Sequence, residues 1–148
     1  MPRELLTYLQ QELPPLVQRE IVIGGTIAPA DAFDAERKQF LGSAFLEQLK
    51  RQPAGDADRV IGIIDADLYA PGLNFIFGQA RLPGRVAVVA IPRLRERERV
   101  LKVATHELGH AYGFRHCDDT SCVMHFANSV RELDRSGRTY CARERIPR

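Results

Sequence analysis

Leu5, Leu6, Leu9 and Leu13 recur on one helical face, which predicts a short amphipathic helix ended by Pro14-Pro15, where the backbone N–H donors stop. Glu20-Ile21-Val22-Ile23-Gly24 then reads as a buried strand. Asp31 is placed to cap a helix running to about Arg51, whose inner face is Phe33, Phe40, Leu41, Ala44, Phe45 and Leu49. Phe40 and Phe45 are core residues on this reading, not ligand contacts. After the loop Gln52-Pro53-Ala54-Gly55-Asp56, the run Val60-Ile61-Gly62-Ile63-Ile64 is apolar on both faces, as expected of a central strand covered from both sides. Phe75, Phe77 and Gln79 alternate with Ile76, Gly78 and Ala80, a strand with an open edge. Pro83-Gly84 turns the chain into Val86-Ala87-Val88-Val89-Ala90-Ile91, and Glu96 to Tyr112 forms the next helix. Strands joined through a helix, an antiparallel return and a further helix predict an α+β fold, a mixed twisted sheet packed with helices. A short C-terminal helix is expected from about Leu133.

The helix from Glu96 carries Thr105-His106-Glu107-Leu108-Gly109-His110, and Ala111-Tyr112-Gly113-Phe114-Arg115-His116 follows. His106 and His110 are one turn apart, so their side chains share a face roughly 5–6 Å apart at Cβ, close enough for both to reach one ion. Glu107 projects about 100° further round the helix, beside the metal, where a general base belongs. Gly113 reaches positive φ cheaply, ends the helix and lets His116 return as a third ligand. Three protein ligands leave a fourth position open for water, whose pKa zinc lowers to about 7. The motif thus predicts a hydrolytic metal site with Glu107 catalytic.

Composition narrows the rest. With 148 residues and 45% hydrophobic content, the chain is expected to form one domain, residues 1–148, that buries a core without staples. The formal charge of +2 and pI near 8.6 are too slight an excess to imply a nucleic-acid partner. Arginines alternate with glutamates in Pro92-Arg93-Leu94-Arg95-Glu96-Arg97-Glu98-Arg99, a solvated turn and not a phosphate stripe. No apolar run reaches the ~20 residues of a membrane span. Met1-Pro2-Arg3-Glu4-Leu5-Leu6 lacks a secretory core, so a cytoplasmic protein without a membrane partner is expected; the sequence leaves the oligomeric state open, with a monomer as the default expectation. The three cysteines, clustered around the histidine motif, favour zinc ligation over a disulfide framework.

The pattern His-Glu-x-x-His-x-x-Gly-x-x-His followed by a methionine is that of the metzincin metalloproteases. Here the methionine is Met124, in Ser121-Cys122-Val123-Met124-His125-Phe126, read as a hydrophobic floor beneath the imidazoles or, more plainly, as a core residue filling a gap. With Cys117 directly after His116, Cys122 before Met124 and Cys141 beyond, the chain resembles the archaemetzincins, closely from about Arg59 to Tyr140 and loosely before. The resemblance implies a zincin-like fold and an endo- or aminopeptidase acting on peptides or proteins. It also implies one catalytic zinc on His106, His110 and His116, and an edge strand around Asn74 to Ala80 that pairs with extended substrate. It further implies a second, structural zinc on Cys117, Cys122 and Cys141. The family's closing Cys-x-x-Cys is here Cys141-Ala142-Arg143-Glu144, so Glu144, His125 or water would complete that site. Tyr112, Phe114, Arg115 and His125 lie near the motif and are open to a subsite or a packing role. The alternative is a zinc-stabilised binding module whose catalytic geometry is unused. Such a module would tolerate loss of Glu107 and would not bind a hydroxamate through the open zinc position.

Overall fold

Val86 to Ala90 form a run in which every residue is buried, and this β-branched segment is the centre of the molecule. A computed structural model of the chain describes residues 3–146. Its elements run α1 (Arg3–Val17), β1 (Phe33–Asp34), β2 (Gln39–Leu41), α2 (Gly42–Lys50), β3 (Val60–Ile64), β4 (Leu68–Tyr69), β5 (Gly78–Ala80), β6 (Val86–Ala90), α3 (Arg97–Ala111) and α4 (Val130–Arg135). The strands form two small sheets, β3-β6-β5 and β1-β2-β4. β6 is parallel to β3, with Val60 opposite Val86, and antiparallel to β5, with Gly78 opposite Val89.

The alternation of side chains across β3 and β6 builds two apolar layers. Ile61, Ile63 and Val89 face α1 and α3, packing with Leu9, Leu13, Val17, Leu101 and Leu108. Val60, Ile64, Val86, Val88 and Ala90 face α2, packing with Phe45, Leu46 and Leu49. Helix α3, which carries the first two histidines, is therefore pressed onto one face of the sheet while β5 runs along the sheet's edge.

Several sequence expectations are corrected. α1 runs through Pro14 and Pro15 to Val17. The residues whose carbonyls lose a donor, Gln10 and Gln11, are exposed to solvent, while Leu9, Leu13 and Val17 hold one buried stripe. Glu20 to Gly24 form no strand, and Val22 is 77% exposed. The segment from Asp31 is a hairpin, not a helix: the Asp34 carboxylate accepts the backbone N–H groups of Glu36 and Arg37, Lys38 takes a φ of 56°, and Phe33 pairs with Phe40. Helix α2 starts only at Gly42. β3 is covered on both faces as expected, but it lies at a sheet edge and β6 takes the centre. The C-terminal helix is Val130–Arg135, with Ser129 capping it by accepting the N–H of Glu132, and Cys141 to Glu144 lie in a turn beyond it.

Candidate functional site

The active-site helix ends as its glycine predicts. Gly113 has a φ of 105° and donates to the His110 carbonyl at 2.9 Å, and Phe114 donates to the Gly109 carbonyl at 2.8 Å. This reversal brings His116 back: its ring centroid lies 5.3 Å from that of His106 and 4.9 Å from that of His110, whose rings are 4.6 Å apart. One nitrogen of each imidazole lies within 4.8 Å of the others. Zinc–nitrogen bonds of about 2 Å place ligand nitrogens roughly 3–4 Å apart, a spacing compatible with this cluster.

Backbone carbonyls orient two of the rings. Nδ1 of His106 is 2.7 Å from the Val123 carbonyl, and Nδ1 of His110 is 2.6 Å from that of Phe114. Both carbonyls hold the proton on Nδ1 and leave Nε2 as a bare lone pair, the tautomer a zinc ligand needs. Burial, only partly offset by the Val123 carbonyl, lowers the His106 pKa to about 3, and burial likewise lowers those of His110 and His116. All three histidines are thus neutral near pH 7 and competent to bind a cation.

Glu107 is buried, and burial alone pushes its pKa up to about 8. A cation next to it would favour the ionised form and bring the pKa back down. Its carboxylate lies against β5: a β-carbon on Gly78 would stand 2.9 Å from Glu107 Oε2. Beneath the helix, Met124 is fully buried, with its sulfur 2.5 Å from where a Gly109 β-carbon would be. Tyr140 closes the same side by donating its hydroxyl to the Thr105 carbonyl at 2.7 Å.

The second cluster is equally compact. Cys117, Cys122, Cys141 and Glu144 bring their ligand atoms within 4.8 Å of one another. The Cys117 and Cys141 sulfurs are 3.9 Å apart, close to the spacing set by two zinc–sulfur bonds of about 2.3 Å. Glu144 Oε1 lies 3.6 Å from the Cys141 sulfur and 3.9 Å from that of Cys122, while its Oε2 is buried without a partner. Backbone N–H groups of Met124 and Cys141 point at the Cys122 sulfur, at 3.4 and 3.3 Å. His125 lies outside this set, with Nδ1 2.9 Å from the Cys117 carbonyl.

Of the residues near the motif, Tyr112 lies under the guanidinium of Arg59, and Phe114 packs edge-on against Tyr140. Both are packing residues. Arg115 is exposed. Sequence reasoning passed over Phe126, 52% exposed with its ring 5.3 Å from His116, and gave no role to Gly78, Gly109 or Tyr140. The last three act through partners far along the chain, which local periodicity does not register.

The sequence pattern of peptidase family M54 matches residues 5–145. The archaemetzincin of Methanopyrus kandleri is 50% identical over 121 residues, spanning 78% of this chain and 69% of that protein. The archaemetzincin of Pyrococcus horikoshii is 38% identical over 158 residues, spanning 94% and 84%. Among solved structures, the Methanopyrus kandleri archaemetzincin superposes with a TM-score of 0.88 at 40% identity, over 97% of this chain and 84% of that one. The Archaeoglobus fulgidus archaemetzincin, crystallised with malonate, gives a TM-score of 0.84 at 33% identity, over 97% and 91%. These matches agree with the α+β, zincin-like architecture. The chain belongs to peptidase family M54, the archaemetzincins, and is a zinc-dependent metallopeptidase.

Proposed function

We propose that His106, His110 and His116 hold the catalytic zinc and that Glu107 is the general base of peptide-bond hydrolysis. The observation that carries this reading is the convergence of three neutral imidazoles with one buried carboxylate on the same helix and its reversal. Zinc held there supplies Lewis acidity, polarising a carbonyl and making a bound water acidic. Glu107 takes the water proton and later delivers it to the departing amine, a double duty that suits a carboxylate whose pKa burial has raised toward neutrality. The Val123 and Phe114 carbonyls keep the histidine rings from turning.

The substrate is a peptide or protein, as the peptidase family implies. β5 is hydrogen-bonded to β6 on one side only, so its outer edge suits pairing with an extended chain, whose backbone then crosses in front of Glu107. A peptide library scored for internal against N-terminal cleavage assigns the enzyme as endo- or aminopeptidase. A hydroxamate tests the open metal position: the account expects inhibition at micromolar concentration or below, and the zinc-loaded protein failing to bind it would return the chain to the binding-module reading.

Cys117, Cys122, Cys141 and Glu144 are the proposed ligands of a second, structural zinc. The donor chemistry suits it: three thiols, a carboxylate whose buried Oε2 lacks a partner, and two backbone N–H groups directed at one sulfur. Free thiols suit a reducing compartment, so residence in the cytoplasm is proposed with it. No helix among the described residues is long and apolar enough to cross a membrane. The whole chain is taken as one catalytic domain acting as a monomer, which size-exclusion chromatography checks.

A further inference from the structure

Gly78 is a glycine inside a strand, where the lack of a side chain normally weakens pairing. Its backbone does not require glycine, since the positive-φ glycines among the described residues are Gly55, Gly72 and Gly113. Space is what it supplies. A β-carbon at this position would lie 2.6 Å from the Val88 carbonyl oxygen, 2.8 Å from Glu107 Cγ and 2.9 Å from Glu107 Oε2. These separations are shorter than ordinary van der Waals contact, so something must move. The Val88 oxygen belongs to the central strand and is held by the sheet, with Gln79 opposite Val88 in the register. The Glu107 carboxylate is the end of a flexible side chain, and burial alone accounts for its shifted pKa, with no hydrogen bond among the causes. Packing against the bare Cα of Gly78 therefore orients it.

We propose that Gly78 is a positioning residue: the missing side chain on the edge strand creates the slot in which the Glu107 carboxylate stands, and so sets the base at a fixed height beneath the strand that receives the peptide. The proposal rests on Glu107 being the base. It extends that reading by making the distance from base to substrate a property of β5, the same segment that aligns the peptide backbone. A substrate chain paired to β5 and a carboxylate packed under β5 share one reference frame, and a β-carbon at Gly78 breaks it: with the Val88 oxygen held in the sheet, β5 yields slightly and the flexible carboxylate is displaced most, while the zinc ligands, which β5 does not carry, keep their places. A displacement of about 1 Å in a catalytic group costs on the order of a hundredfold in rate.

The test is a pair of measurements on the zinc-loaded full chain. Gly78→Ala should retain the metal content of the parent and lower kcat by roughly 10- to 100-fold, with a much smaller rise in KM from the slight shift of β5, the split expected when the displaced base matters more than the strand. The second measurement is a double-mutant cycle on melting temperature, with Gly78→Ala made in the parent and in Glu107→Ala. The Val88 oxygen is present in both backgrounds and cancels, so a smaller drop in the Glu107→Ala background isolates the contact with the carboxylate. A Gly78→Ala protein that folds only when Glu107 is also removed is the extreme form of the expected result. Equal drops in both backgrounds, including failure of both to fold, overturn the proposal, as does unchanged kcat. Full activity in Glu107→Gln would remove the base reading by itself. Uncoupled melting temperatures alongside an inactive Glu107→Gln would overturn the role of Gly78 and leave that reading intact.

Discussion

The sulfur of Met124 lies 2.5 Å from the point a β-carbon on Gly109 would occupy, so the methionine beneath the histidines packs directly on the bare backbone of the helix that carries them. Tyr140 Cε1 shares the contact at 3.0 Å. This explains a glycine in the last turn of α3, where alanine would otherwise be favoured by up to about 1 kcal/mol.

Gly109→Ala accordingly tests close approach against helix propensity. At an approach of 2.5 Å overpacking costs toward the upper end of about 1–3 kcal/mol and outweighs a propensity gain of up to about 1 kcal/mol, for an expected net loss of about 1–2 kcal/mol. Thermal unfolding of the metal-free variant checks this, and a zinc competition titration should show weaker binding because His110 shifts with the helix. A variant as stable as the parent would contradict the packing argument.

Tyr140→Phe removes the donor to the Thr105 carbonyl and little else. The carbonyl retains its place in the helix, so the expected loss is at the modest end for a hydrogen bond, about 0.5–1.5 kcal/mol, read from denaturant unfolding. The phenylalanine ring keeps the edge-on contact with Phe114. Zinc content should therefore be unchanged.

Asp67 is the pH-sensitive tie of the segment leading to β5. Burial raises its pKa, but hydrogen bonds from Arg93 and Gln39 outweigh that and hold it below the usual aspartate value. Arg93 binds it through two nitrogens, each at 2.8 Å, and Gln39 joins it to the Asn74 carbonyl. A depressed folded-state pKa means the unfolded chain binds the proton first, so the contribution is present above the ordinary carboxylate range and lost as pH falls through the folded value. Asp67→Asn should be less stable than the parent by about 1 kcal/mol at pH 7. Urea unfolding at stepped pH should show that gap closing below pH 4, and a gap constant with pH would refute it.

The fourth ligand of the cysteine cluster is tested by Glu144→Cys and Glu144→Ala. The added thiolate should bind the second zinc more tightly and raise the melting temperature, whereas alanine should weaken binding and lower it. Elemental analysis reads the stoichiometry directly. One zinc per chain in all three proteins would eliminate the second site.

How much of this the sequence disclosed follows from the range of each interaction. His106, Glu107, His110, Gly113 and His116 were legible because helical spacing and one glycine determine their geometry locally. The hairpin from Phe33 to Leu41 is hidden in the sequence because its aromatic spacing also fits a helix, and the deciding interaction is the Asp34 side chain closing a turn on Glu36 and Arg37. Ile21, Val22 and Ile23 have strand composition but no partner strand among the described residues. Pro14 and Pro15 signal a stop by propensity alone, which takes no account of the buried stripe Leu9, Leu13 and Val17 that carries the helix past them. Glu144 meets Cys141 through a turn where a helix was expected. The roles of Gly78 and Gly109 depend on Glu107 and Met124, residues brought close only by the fold.

The most direct test of the central claim is zinc content and peptide hydrolysis measured together on the parent and on Glu107→Gln. Glutamine keeps the shape of the side chain and removes the proton acceptor. The account predicts that the variant binds the same amount of zinc, melts no lower than the parent, and loses hydrolysis by about a hundredfold or more, at the scale of a lost general base. Full peptidase activity in a zinc-loaded Glu107→Gln protein would contradict it.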